Sequence, residues 1–272
     1  MEGGFSPFEG VALRLDWPQR AIGLISLTRP RQMNTLTFEL LDEFGRALDI
    51  ASTAPTRALV ITGVERAFCG GAHLHYFAGP GASLLEPFDV RDRYVARIAA
   101  TFDRLEALPF PTIAAINGYA LGGGCELALS CDLRVLSDAA MIGVPEVRLG
   151  ALAGAGGVQK LVRHVGRSTA LDWTLRGLHV DARTVQRHGL CSDVVAAERL
   201  LPRSLELARE LRRLGPKAVA QSKRCVYVSE DADLGTAQRF GLDALAMLVG
   251  SAEWKEGMAA FVERRTPEFD RW

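Results

Sequence analysis

The sequence is short of several features that mark common classes of protein, beginning with charge of one sign. Lys and Arg together number 32, Asp and Glu also number 32, and the formal net charge is zero. Proteins that bind nucleic acid generally present a basic surface to the phosphates, so neutrality disfavours that class. No apolar run is long enough to span a bilayer. Because the first ten residues hold two glutamates and no basic residue, we expect no secretory or transit peptide.

Cysteine is also scarce, and its positions form no recognisable pattern. The number is odd, and no two cysteines lie in a CxxC pair. A disulfide framework is typical of short secreted chains, whereas this chain has 272 residues. We therefore expect reduced thiols, most of them packed as small apolar side chains, and a cytoplasmic location. The cysteines are Cys69, Cys125, Cys131, Cys191 and Cys225.

Short β-prone runs alternate with helical stripes over the first part of the chain. Apolar side chains recur at helical spacing after Thr37, which is a suitable N-cap. Strands that alternate with helices imply crossover connections and a largely β/α architecture. Strands are predicted at 11–15, 21–27, 57–63, 112–117 and 132–136, a glycine-rich turn at 118–124, and helices from Thr37 and over 91–107 and 125–131.

The last third of the chain has a helical pattern from about residue 165. Ser168 and Asp181 are suitable N-caps, and Gly189 is a suitable helix end. We place a boundary after residue 198, so that residues 1–198 form the core and residues 199–272 a helical region. Amphipathic helices are predicted at 198–214, 217–229, 233–249 and 252–264.

A strand, three glycines and the start of a helix follow one another in PTIAAINGYALGGGCELA, residues 111–128. Glycine lets the backbone turn sharply and lets another atom approach closely. The free N–H groups of a helix start converge and carry partial positive charge, which suits a developing anion. The segment lacks the lysine and hydroxyl residue of a phosphate loop, and GGGCEL does not fit the dinucleotide pattern GxGxxG.

Two glutamates follow these glycines. Glu126 would lie in a first helical turn, where an acidic residue often does no more than complement the helix dipole. Glu146 follows Pro145 and could be an ordinary carboxylate of a surface loop. Two carboxylates that meet at an oxyanion site would instead suit the addition of water. One would accept a proton from water while the other donates a proton to carbon.

Together with AFCGGAHL (67–74) and PEVRLG (145–150), this segment resembles the enoyl-CoA hydratase/isomerase (crotonase) superfamily. The similarity extends over roughly residues 11–272, including EGMAAFVERRTP (256–267). It implies an α/β fold, a spiral of ββα units with a C-terminal helical region. It also implies an acyl-CoA thioester substrate and assembly into homotrimers or hexamers through that helical region.

The resemblance implies roles for individual residues by motif position. The backbone N–H groups of Ala72 and Gly123 would bind the thioester oxygen, and Glu126 and Glu146 would transfer protons. Because hydratases of the superfamily carry both glutamates, the implied activity is that of an enoyl-CoA hydratase. Such an enzyme adds water reversibly and syn to a 2-enoyl-CoA to give a 3-hydroxyacyl-CoA. The resemblance implies no metal and no redox cofactor.

Positions that match the coenzyme A site depart from the usual pattern in part. The resemblance assigns Gly70, His75, Phe261 and Arg264 to that site, the last two toward a neighbouring subunit. His75 stands where lysine is frequent, and His73 stands where an acidic or amide residue is usual. These departures change residues of the coenzyme A site and leave the glutamate pair intact.

Two other functions stay open on the sequence. The atypical His73-Leu74-His75 loop leaves room for another acyl-CoA reaction, such as double-bond isomerisation, dehydration or retro-aldol cleavage. A non-catalytic or RNA-binding scaffold is the alternative of another class, which neutrality and the intact glutamate pair disfavour. A metal site at the two histidines lacks a third ligand nearby in sequence, and Cys69 lacks an identifiable base for nucleophilic catalysis.

Overall fold

The computed structural model describes residues 7–269, whose strands form two sheets. The strands are β1 (Phe8–Glu9), β2 (Leu13–Gln19), β3 (Ile22–Leu27), β4 (Ala58–Gly63), β5 (Ala67–Cys69), β6 (Thr112–Ile116), β7 (Tyr119–Leu121), β8 (Leu133–Ser137), β9 (Met141–Gly143), β10 (Val180–Asp181) and β11 (Asp193–Val195). The larger sheet has the order β1-β2-β3-β4-β6-β8-β11 and is parallel from β3 onward. The smaller sheet has the order β10-β9-β7-β5.

Helices connect and cover these strands. They are α1 (Phe38–Thr53), α2 (Ala96–Glu106), α3 (Gly123–Leu129), α4 (Gly157–Leu175), α5 (Ala182–Arg187), α6 (Leu200–Arg212), α7 (Pro216–Asp231), α8 (Leu234–Leu248) and α9 (Ala252–Glu263). The Thr37 side chain caps α1 by accepting from the Leu40 N–H, and Asp181 caps α5 in the same way. The predictions of Thr37 and Asp181 as N-caps are therefore confirmed. Among the described residues, no helix combines the length and apolar character needed to cross a bilayer.

A strand of the larger sheet, a strand of the smaller sheet and a helix recur three times in succession. The three units are β4-β5-α2, β6-β7-α3 and β8-β9-α4. Each unit moves the chain by one strand along both sheets, which are parallel at these positions. The predicted α/β spiral of ββα units with a C-terminal helical region is confirmed.

The central strands β3, β4 and β6 of the larger sheet are buried on both faces, so they read as nearly continuous apolar runs. One face belongs to the main core with α1 and α2, and the other packs against α6. Main-core side chains of the sheet include Leu15, Ile25, Ile61, Ala114 and Leu136. Side chains of the opposite face include Ile22, Val60, Ile113, Ala115 and Val135.

The C-terminal helices are tied to the sheet by a polar cluster as well as by packing. Asp132, which precedes β8, accepts from the Lys223 ammonium at 2.8 Å and from the Tyr227 hydroxyl at 3.0 Å. Its other contacts are the N–H and hydroxyl of Thr112 on β6. Asp132 thus joins α7 to two strands. The division after residue 198 stays a prediction, and α6 beyond it packs on the sheet.

Two predicted segments differ clearly from the structure. The segment 118–124, predicted as a turn, contains the strand β7, which pairs with β5 and β9, and α3 begins at Gly123 rather than 125. The last helical pattern begins with α4 at Gly157, not near 165, and Ser168 lies inside that helix beyond a break at Gly166. Both differences arise from partners distant in sequence, because β7 needs its two neighbouring strands and the start of α4 is bonded to Glu126.

Candidate active site

Glu126 projects from the first turn of α3, a helix whose residues are all buried. Only 3% of Glu126 is exposed, and its Oε1 accepts the N–H groups of Ala155 and Gly157, each at 2.8 Å. A buried carboxylate is stable only where donors replace its hydration. Glu126 therefore does more than complement its own helix dipole, since it is held by the loop that leads into α4.

Glu146 lies on the short 3₁₀ turn Pro145–Leu149. Among the described residues, no donor reaches its buried Oε2. A Cβ atom on Gly122, the residue before α3, would lie 2.5 Å from its Oε1. Glycine at this position, with φ of +55°, is therefore required both by the turn and by the close approach of Glu146. The start of α3 brings the two predicted glutamates to one site.

The surroundings raise the pKa of both carboxyl groups, but hydrogen-bond donors oppose the increase more strongly at Glu126. Burial raises the pKa of Glu146 to about 7, and the negative charge of Glu126 adds to that increase. Burial also raises the pKa of Glu126, but the N–H groups of Gly157 and Ala155 and the ammonium of Lys160 oppose the increase. Donors that bond a carboxylate favour its charged form. Glu126 is accordingly suited to act as a base, and Glu146 to carry a proton near neutral pH.

The predicted oxyanion donors also lie close together. Gly123 is the first residue of α3, so its N–H has no intrahelical acceptor. A Cβ atom built on Gly123 would lie 3.6 Å from the Ala72 nitrogen, and one on Gly71 would lie 3.0 Å from the Gly123 nitrogen. Gly71 has φ of +90°, which a side chain would strain. Two backbone N–H groups thus meet beside the glutamates.

The loop that carries Ala72 is bonded to the segment before α1. The Gly70 N–H donates to the Met33 carbonyl at 2.7 Å, and the Leu36 N–H donates to the Gly71 carbonyl at 2.8 Å. Asn34 supports the strand below by donating to the Ala67 carbonyl at 2.8 Å. The position of the Ala72 N–H therefore depends on a segment that the sequence motifs do not include.

The predicted coenzyme A residues are spread over two regions. The Gly70 N–H donates to the Met33 carbonyl. His75 lies exposed on the 3₁₀ turn Leu74–Tyr76. Phe261, which is 82% exposed, and Arg264, which ends α9 with φ of +55°, lie on the C-terminal helical region. Their roles toward coenzyme A stay predictions.

His73 and Cys69, the reactive side chains near the oxyanion loop, have structural contacts. His73 Nδ1 lies 2.9 Å from the Thr35 hydroxyl, and burial together with the charges of His75 and Arg29 lowers its pKa. Cys69 is fully buried, which raises its pKa to about 12. A thiol with such a pKa is not a nucleophile at neutral pH, in agreement with the predicted packing role.

Sequence reasoning missed the residues that hold Glu126. The segment that begins as PEVRLG (145–150) continues to Gly154-Ala155-Gly156-Gly157. The N–H groups of Ala155 and Gly157 are the donors to the Glu126 carboxylate. A Cβ atom on Gly157 would lie 2.6 Å from Glu126 Cγ. The run of small residues was the available signal, because only small residues allow a side chain to approach the backbone so closely.

Comparisons with known proteins find relatives along nearly the whole chain. Residues 18–271 match the model of the enoyl-CoA hydratase/isomerase family. The chain is 37% identical over 252 residues to a probable enoyl-CoA hydratase of Rhizobium meliloti, covering 92% of this chain and 95% of the relative. It is 38% identical over 255 residues to the 2,3-dehydroadipyl-CoA hydratase of Escherichia coli, covering 92% and 96%. The crystal structure of an enoyl-CoA hydratase from Bacillus anthracis superposes with a TM-score of 0.89 at 35% identity, covering 95% of this chain and 99% of that one.

Proposed function

The chain belongs to the enoyl-CoA hydratase/isomerase family, and on that premise we propose that it is an enoyl-CoA hydratase. The observation that carries the proposal is the pair of the buried Glu126 and the half-buried Glu146, which lie at one site beside the N–H groups of Ala72 and Gly123. The proposed reaction is the reversible syn addition of water to a 2-enoyl-CoA, which gives a 3-hydroxyacyl-CoA.

The two N–H groups act on the thioester oxygen. Attack of water on the β-carbon moves electrons onto that oxygen, and the developing enolate accepts hydrogen bonds from Ala72 and Gly123. Donors that are already in place stabilise the transition state more than the substrate. Loss of one such donor costs about 2.7–4 kcal/mol in comparable sites.

The glutamates divide the proton transfers according to their surroundings. The Glu126 carboxylate removes a proton from the attacking water, and the protonated Glu146 delivers a proton to the α-carbon. Water is thereby split across the double bond, with its oxygen on the β-carbon. Glu126 ends protonated and Glu146 ionised, and a proton passing from the first to the second through solvent restores the pair. Two carboxyl groups held in different surroundings at one site are the pattern expected of such an acid–base pair.

A direct assay tests this reaction. We expect the enzyme to remove the absorbance of the conjugated thioester from crotonyl-CoA or from a longer, branched, alicyclic or aromatic 2-enoyl-CoA. The acyl chain that reacts fastest identifies the preferred substrate. Absence of hydration with every member of such a series would overturn the proposal.

We also propose that the enzyme assembles as a homotrimer or hexamer, acts in the cytoplasm and uses neither a metal nor a redox cofactor. Support for assembly comes from apolar side chains that the C-terminal helices leave exposed in a single chain. They include Val226, Leu242, Met247, Met258, Phe261 and Val262.

A further inference from the structure

Tyr94 is a fully buried tyrosine whose hydroxyl contacts two backbone groups from different segments. It lies in the π-helical turn Asp89–Val95 that leads into α2. Its hydroxyl donates to the Leu36 carbonyl and accepts the His73 N–H at 2.8 Å. Burial raises the pKa of this phenol, so the hydroxyl keeps its proton and stays a donor at any working pH.

Both backbone partners of this hydroxyl adjoin the oxyanion loop. His73 directly follows Ala72, and Leu36 pairs with Ala72 as an isolated parallel bridge. The Leu36 N–H donates to the Gly71 carbonyl at 2.8 Å. The peptide groups on both sides of Ala72 are therefore fixed, one directly by Leu36 and the other through the Tyr94 hydroxyl.

Aromatic packing fixes the Tyr94 ring. The rings of Phe38, Tyr76 and Phe77 lie with their centroids 5.4, 5.5 and 5.5 Å from it, each in an edge-to-face arrangement. Tyr76 carries a second hydroxyl in the same cluster, which accepts the Phe38 N–H at 3.2 Å. The cluster thus contains one hydroxyl bonded to the oxyanion loop and one bonded to the start of α1.

We propose that Tyr94 is a positioning residue whose hydroxyl sets the direction of the Ala72 N–H and thereby the polarisation of the thioester carbonyl. The inference rests on the proposed function, because it takes Ala72 as a donor to the thioester oxygen. A misplacement of about 1 Å by a remote change can cost a factor of about 100 in rate. Removing the hydroxyl leaves the His73 N–H and the Leu36 carbonyl without this shared partner. The peptide group between Ala72 and His73 can then shift, and the Ala72 N–H shifts with it.

The kinetic test compares Tyr94→Phe with Tyr76→Phe, which removes the other hydroxyl of the cluster. We expect Tyr94→Phe to lower kcat about 10- to 100-fold with less than about a threefold change in KM, since the affected interaction strengthens in the transition state. Tyr76→Phe should stay within about threefold of the wild type in both constants. Equal kinetic constants in Tyr94→Phe and the wild type would overturn the inference.

A spectroscopic test separates positioning from a merely structural role. Cinnamoyl-CoA absorbs at longer wavelength when its carbonyl is polarised, and its bound spectrum reports folded sites alone, even where a variant is partly unfolded. We expect the red shift on binding to be smaller in Tyr94→Phe than in the wild type and in Tyr76→Phe. An unchanged shift would contradict the inference. If the wild type shifts the spectrum and Tyr94→Phe does not, while neither adds water to any enoyl-CoA, Tyr94 positions the loop and the proposed reaction is wrong.

Discussion

At the scale of single residues, the two chemically identical side chains of the candidate active site lie in different surroundings. Glu126 accepts two backbone N–H groups, whereas the buried Oε2 of Glu146 has no donor among the described residues. Donors stabilise the carboxylate form of the first, and burial stabilises the acid form of the second. The proposed assignment of Glu126 as the base and Glu146 as the acid rests on these surroundings, which the sequence position of neither glutamate reveals.

The pH dependence of hydration should follow the protonation of Glu146, the proposed acid. Its pKa is about 7 because of burial, so the protonated fraction of Glu146 falls as the pH rises through that value. We expect kcat/KM, which reflects groups of the free enzyme, to fall about tenfold per pH unit above the pKa. The residual activity of Glu146→Gln should lack this alkaline decline. A wild-type profile that stays flat from about pH 6 to about pH 9 would contradict the assignment.

At the scale of elements, local sequence determined some features and distant contacts the others. The N-caps Thr37 and Asp181 were predictable because each bonds an N–H three residues away. The strand β7 and the start of α4 were not, because strand pairing and the Glu126 carboxylate stabilise them. The motifs predicted which residues meet at the site. The residues whose hydrogen bonds support the site, including Asn34 and Tyr94, lie outside those motifs.

The turn between β7 and α3 offers a test of how closely the backbone approaches Glu146. Gly122→Ala would place a methyl 2.5 Å from Glu146 Oε1 in addition to straining a residue with φ of +55°. We expect hydration activity to fall about 100-fold, since the acid must move away from the substrate.

Gly189→Ala is the matched control for that substitution. Gly189 also has a positive φ, of +72°, but a Cβ atom added there would meet no atom within 4 Å, so the control carries a positive φ without the contact. Gly189→Ala should lower stability by roughly 1–2 kcal/mol and keep its activity. Equal activity losses in the two variants would show that strain, not the approach to Glu146, explains the effect.

At the scale of the whole molecule, a largely buried ion pair between Lys223 and Asp132 connects the C-terminal helices to the sheet. The side chains of Lys223 and Asp132 are 9% and 15% exposed. Lys223→Met would leave the Asp132 carboxylate without its cation, and we expect the free energy of unfolding to fall by about 3–5 kcal/mol in denaturant titrations. Arg176→Met, which breaks the exposed pair with Asp172, should cost less than about 1 kcal/mol. Similar losses in both variants would contradict the bridging role of Asp132.

The exposed apolar side chains of the C-terminal helices lead us to predict the mass of the particle in solution. Phe261 and Val262 are 82% and 78% exposed in the single chain, and exposed apolar patches mark sites of association. Analytical ultracentrifugation should give three or six times the chain mass of 29.5 kDa. A particle with the mass of one chain would contradict the proposed assembly.

The most direct test of the proposed hydratase activity follows the oxygen atom of water. The enzyme is incubated with a 2-enoyl-CoA in heavy-oxygen water, and the product is identified by mass spectrometry and NMR. We predict a 3-hydroxyacyl-CoA that carries one labelled oxygen, formed about 10²–10⁴-fold more slowly by Glu126→Gln and by Glu146→Gln, and at the wild-type rate by the surface variant Glu198→Gln. An unlabelled product isomeric with the substrate, or labelled product formed at the wild-type rate by either active-site variant, would contradict it.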